Sequence, residues 1–201
     1  MIANAIQIIC VYAIPLIFAI TLHEAAHGWA AKKLGDDTAW ILGRVTANPV
    51  PHIDPVGTVL VPGALVLMSA LTGGAGFVFG WAKPVPVTTR NFKNVKKGMI
   101  LTALAGPAAN ILLALLSLIL YKLWCYFLYP LLAINFTTAS AIAQIFYIMC
   151  LLNINLAVFN LIPIPPLDGS RVLTAVLPAR LYYKVMQYEQ YIVYGVFIIL
   201  M

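Results

Sequence analysis

Charge is what this sequence has least of: 12 lysines and arginines and six acidic residues among 201, or 9% charged. A soluble domain of this size carries about 25% charged residues. A water-covered globular surface is therefore excluded, and the 63% hydrophobic content reads as an integral membrane protein. Negative charge is scarcer still. No acidic residue lies between Asp54 and Asp168, while Lys83, Arg90, Lys93, Lys96 and Lys97 crowd one short stretch. Beside hydrophobic spans such a cluster marks the cytoplasmic side and its anionic lipids, and no nucleic-acid partner is expected. Cysteine is nearly missing. Cys10, Cys125 and Cys150 lie in apolar runs without a CxxC, which indicates neither a disulfide frame nor a cysteine metal site.

What is abundant is uncharged length: residues 1–22, 98–121 and the 45 residues between Lys122 and Asp168. These runs predict an all-α membrane bundle of about four to six membrane segments with short extended or β elements, residues 1–201 forming a single domain. The opening run lacks a basic n-region and a small-residue cleavage site, so a helix to about Leu34 is expected and not a removable signal. Pro15 should kink it, Lys32 and Lys33 suit its last turn, and Gly35 is a plausible C-cap. Pro49, Pro51 and Pro55 make 36–56 irregular or strand-like. Residues 57–80, rich in glycine and broken by Pro62, suggest a re-entrant or hairpin segment. Lys83-Pro84-Val85-Pro86-Val87 should be extended, and 88–97 a basic surface loop. Spans are predicted from about Met99 to Tyr121, ending in an aromatic belt of Tyr121, Trp124, Tyr126 and Tyr129, and from about Ala139 to Leu161. A short helix follows from Asp168 to Leu177, then a last span from about Tyr191.

The chemistry starts at His23-Glu24-Ala25-Ala26-His27. Positions i and i+4 share a helix face, so both imidazoles can bind one zinc ion while Glu24 stands beside it as general base. His23 lies about 28 Å along its helix, nearly across a ~30 Å hydrocarbon core, where polar groups are costly and functional by default. A catalytic site needs a third protein ligand and an open position. The candidates are His52, Asp54 and Asp168, and Asp168 also fits the role of N-cap for the helix after it. Asn160, on the same proline-unwound segment as Asp168, is the first candidate for a donor to the developing oxyanion. His52 reads as a structural residue of its proline-rich loop or a support for the zinc ligands. Exposed edges at Arg44–Thr46 or Val85–Val87 could pair with an extended substrate.

HEAAH at 23–27, GPAAN at Gly106–Asn110 and NLIPIPPLDG at Asn160–Gly169 resemble the site-2 protease family, zinc metalloproteases that cut substrates within the membrane. FGWAKPVPV (Phe79–Val87) and NPVPHIDPVG (Asn48–Gly57) resemble its compact bacterial and archaeal branch, with no room for a PDZ or CBS domain. The resemblance implies one zinc ion on His23, His27 and Asp168, Glu24 as the catalytic residue, and Asn110 helping to hold the substrate. It further implies regulated intramembrane proteolysis of a transmembrane protein, in a multi-pass cell-membrane enzyme whose active site faces the cytoplasmic side. The competing class is a non-proteolytic metal-binding membrane protein such as a zinc transporter-like module. Transporters place several ligands on spans near the bilayer midplane, whereas the polar groups here cluster at segment ends. Oligomeric state and substrate identity are not written in the sequence.

Overall fold

The computed structural model describes residues 2–72, 80–132 and 135–200. Helix α1 (Ile2–Leu34) runs through Pro15, which is fully buried. It ends as expected at Gly35, whose φ of +112° is open to a residue without a Cβ. Gly35 N–H donates to Lys32 O and Asp36 N–H to Ala31 O, the paired bonds of a Schellman cap. A single turn, α2 (Thr38–Ile41), follows where irregular chain was expected. From there to Asp54 the prolines confine regular structure to a 3₁₀ turn at Val50–His52.

A π-helical turn, Pro55–Leu60, leads into α3 (Val61–Thr72). Trp81 N–H donates to Gly57 O at 3.0 Å, so the chain comes back beside the place where α3 departs. The expected re-entrant segment also covers 73–79, which lie outside the described residues.

Helix α4 (Val95–Leu123) begins four residues before the expected span, because Asn94 caps it by accepting from Lys97 N–H at 3.0 Å. It continues through a π-helical turn (Trp124–Leu128) into α5 (Tyr129–Leu132). Trp124, predicted as part of an interfacial belt, is instead buried and donates from Nε1 to Ala139 O of α6 (Phe136–Asn160). Helix α7 (Asp168–Val176) and α8 (Ala179–Leu200) complete the fold.

Packing fixes the helix directions. His27 meets Thr102 and His23 meets Asn110, so α1 and α4 are antiparallel. Asn110 meets Asn153 and Trp124 meets Ala139, so α4 and α6 are antiparallel too, and α1 runs parallel to α6. Among the described residues two helical stretches, Val95–Leu128 and Phe136–Asn160, are long and apolar enough to cross a membrane. Leu112, Leu115, Leu116 and Ile119 of α4 point outward and are exposed, as lipid contact requires and water does not favour.

No strand forms among the described residues, which corrects the expectation of β elements. The physical reason lies in the partners of the extended segment 81–88. Its N–H groups go one by one to Gly57 O, His52 O, a Glu24 carboxylate oxygen and an Asp36 carboxylate oxygen, so no ladder is built.

Candidate metal centre

Two helical stripes face each other at the heart of the bundle. His23 and His27 lie one turn apart on α1; Thr102, Gly106 and Asn110 lie at matching turns of α4. Gly106 is what permits the contact. A Cβ there would lie 2.4 Å from His27 Nε2 and 2.6 Å from His23 Cε1, closer than atoms can approach. The GPAAN motif thus supplies space at its first residue and a polar partner at its last.

His23 Nδ1 lies 2.6 Å from Asn110 Oδ1, and His27 Nδ1 lies 2.7 Å from the Thr102 carbonyl. Both partners accept, so both Nδ1 atoms donate, and both Nε2 atoms turn into the same space, where a neutral ring would offer a bare lone pair. The two Nε2 atoms are 3.0 Å apart. Asp168 Oδ2 joins them at 3.1 Å from His23 and 3.2 Å from His27.

Three electron-pair donors so placed repel until a cation stands among them. Their separations approach the ~3.3 Å between ligands about 2.0–2.1 Å from a tetrahedral zinc. Two imidazole nitrogens and a carboxylate oxygen are a donor set zinc takes readily. The residues fit the ion.

Asp168 is the first residue of α7 and makes no capping bond; the N-cap position belongs to Leu167. Its carboxylate goes to the imidazoles. His52 does not join the cluster. It is buried and donates from Nε2 to Thr46 O at 3.2 Å, while its own carbonyl accepts from Lys83 N–H. Asp54 caps the Pro55–Leu60 turn, accepting from Val56 and Gly57 N–H. Asn160 donates from Nδ2 to Leu156 O of its own helix. Asn110, which the resemblance assigns to the substrate, is completely buried, with Oδ1 against His23 Nδ1 and Nδ2 donating to Asn153 Oδ1.

Glu24 is half-buried beside the cluster, and its Oε2 accepts the Val85 N–H at 2.9 Å. Val85 is held there from a distance. Asp36, with no exposed surface, accepts from Thr38 N–H, Thr38 Oγ1, Thr88 N–H and Asn91 Nδ2. Burial would raise its pKa, but these bonds to the ionised form outweigh it and hold the carboxyl below its ordinary value. Asp36, Thr102 and Val85 escape a reading by motif: two act through backbone atoms, and Asp36 stands in a polar run that looks solvated. The one available signal was a carboxylate one residue past a glycine cap, where the turn folds it inward.

Comparison with known proteins follows the same lines. A sequence model of peptidase family M50 matches residues 128–201. A Bacillus subtilis protein named "Putative zinc metalloprotease YwhC" is 40% identical over 178 residues, covering 89% of this chain and 74% of that protein. A Mycolicibacterium smegmatis protein named "Putative zinc metalloprotease Rip2" is 35% identical over 153 residues. Its Mycobacterium tuberculosis namesake is 27% identical over 157. The chain spans 52% of the length of each of these two mycobacterial proteins. No solved structure matches.

Proposed function

The chain belongs to peptidase family M50, and on that premise we propose that it is an intramembrane zinc endopeptidase acting on membrane-spanning protein substrates in regulated proteolysis. The observation that carries the reading is the convergence of His23 Nε2, His27 Nε2 and Asp168 Oδ2 within 3.2 Å of one another, inside a bundle whose outer helices are apolar. These residues hold one zinc ion per chain. Bound zinc supplies Lewis-acid polarisation of the scissile carbonyl and a water whose pKa is lowered toward ~7.

The remaining work falls to the chain. Glu24 takes the proton of the attacking water and returns it to the leaving amine nitrogen. Its Oε2 is steadied by Val85 N–H, and no hydrogen bond engages Oε1 among the described residues, which leaves that atom for the proton. Asn160 has a second amide hydrogen beyond the one given to Leu156, and that hydrogen is our candidate for the oxyanion. Asn110 serves His23, and His52 stiffens its loop.

Of the two edges considered for the substrate, Arg44–Thr46 is favoured. Val45 and Thr46 wall an apolar groove against Leu22, Ala26 and Trp29 of α1. Val85–Val87 is poorly suited, since Val85 N–H is taken and Pro86 has none to offer. The enzyme is placed in the cell membrane as a multi-pass protein, with the catalytic end at the basic, cytoplasmic side.

The test compares purified parent and Glu24→Gln protein for zinc content and for cutting a membrane-spanning peptide. Zinc retained at parental level with cleavage reduced at least ~10²-fold is expected. Cleavage at parental rate by the variant would overturn the assignment.

A further inference from the structure

We propose that Asn153 is a positioning residue of the metal centre, which acts through Asn110 to fix the His23 ring with its hydrogen on Nδ1 and its Nε2 bare. The inference rests on the zinc reading above.

The relay starts at a backbone carbonyl, whose polarity cannot change. Met149 O only accepts, so the Asn153 atom 2.8 Å from it is the amide nitrogen. Asn153 Oδ1 is then turned toward α4, where it stands 3.0 Å from the Asn110 amide. Asn110 must therefore present Nδ2 to Asn153 and Oδ1 to His23. At 2.6 Å that oxygen accepts, and His23 Nδ1 must carry the hydrogen. Each link permits one orientation, and each is set by the one before it.

Both asparagines have no exposed surface, so water does not substitute for either partner. If Asn153 offered no acceptor, the Asn110 amide could turn over and present Nδ2 to the ring. His23 would then move its hydrogen to Nε2, the atom that faces His27 and Asp168. A donor would stand where a lone pair is needed. Asn153 touches neither metal nor substrate; it acts on the ligand through a second side chain, and changes at such supports commonly lower metal affinity about 10- to 100-fold.

The test uses full-length protein in bicelles, with zinc affinity measured by chelator competition and the ¹⁵N signals of His23 read in metal-free protein. Asn153→Leu should weaken zinc binding about 10- to 100-fold and add an Nε2–H population at His23. Asn153→Ala, which cannot overpack, should do the same. Asn153→Asp should rescue both readouts. In buried surroundings the acid is favoured over its anion, and a carboxylic acid donates O–H to Met149 O while its C=O accepts from Asn110. A residue that merely fills space would rank the other way, with leucine harmless and aspartate harmful. Parental zinc affinity and an unchanged His23 tautomer in the leucine and alanine variants would overturn the proposal, as would aspartate no better than leucine. If the parent itself binds no zinc, the zinc reading fails, while the tautomer signals still decide the role of Asn153.

Discussion

The backbone N–H of Val85 donates to Oε2 of Glu24 across 2.9 Å, joining residues 61 apart in the chain. The bond steadies one carboxylate oxygen and leaves the other for proton transfer. Val85→Pro deletes this donor from a residue that already precedes a proline and is already extended. Turnover of a membrane-spanning peptide should fall about 10- to 100-fold with zinc content unchanged. Val85→Ala keeps the N–H and should stay close to parental turnover. Equal losses in the two variants would show that the side chain matters and not the amide.

Asp36 makes a pH prediction. Its folded pKa lies below its unfolded one, near 3.8, so its ionised form contributes stability that is complete above that value. The contribution is lost as pH falls through the folded pKa. Asp36→Asn puts an amide N–H₂ against donors that now meet a carboxylate, and should destabilise the protein by about 1–3 kcal/mol at pH 7. In thermal melts of detergent-solubilised protein, the gap between parent and variant should narrow as pH drops below about 4. A gap independent of pH would mean that the charge on Asp36 is not what Thr38, Thr88 and Asn91 recognise.

What could be read from the chain beforehand is what side chains encode. HEAAH, the aspartate of PPLDG and the glycine that ends α1 each announce themselves by residue type and spacing. Gly106 and Asn110 were recognisable as a motif, but their contacts with the two histidines were not, because these depend on α1 packing antiparallel at one register. Val85 N–H, Thr102 O and Met149 O were invisible, since every residue but proline carries the same donor and every residue the same acceptor. The extended run 83–87 was foreseen from its prolines. The failure of 81–88 to form a strand was not, because the carboxylates that take its N–H groups come from elements distant in sequence. Trp124 looked like a membrane-interface residue by position and turned inward because its indole N–H finds Ala139 O.

The third ligand gives a sharper contrast. Asp168 stands within 3.2 Å of both imidazoles, whereas His52 Nε2 is committed to Thr46 O. Asp168→Ala should lose most of its zinc and all cleavage. His52→Ala should keep its zinc and lower the rate modestly, by loosening the loop that pairs with Lys83. Metal analysis of the two purified variants decides it. Zinc lost from the histidine variant and kept by the aspartate variant would reverse the assignment.

The last prediction concerns the membrane. Helix α1 ends and α4 begins at the same end of the bundle, where Lys93 N–H reaches Leu34 O. The chain between them therefore starts and finishes at that end, and should cross the bilayer an even number of times, including none. Trp81 beside Gly57 agrees, since the two ends of the intervening stretch meet. Lysines crowd the same end: Lys32 and Lys33 on α1, Lys93, Lys96 and Lys97 around the start of α4. Positive charge is retained on the cytoplasmic side, so this end and the metal centre near it should face the cytoplasm. Lys33 and Lys96 are both exposed. In a parent whose native cysteines are replaced, single cysteines at these two positions should react with an impermeant thiol reagent in inside-out vesicles and stay protected in intact cells. Labelling from opposite faces would break the hairpin topology, and labelling of both only from outside would invert the orientation while leaving the topology standing.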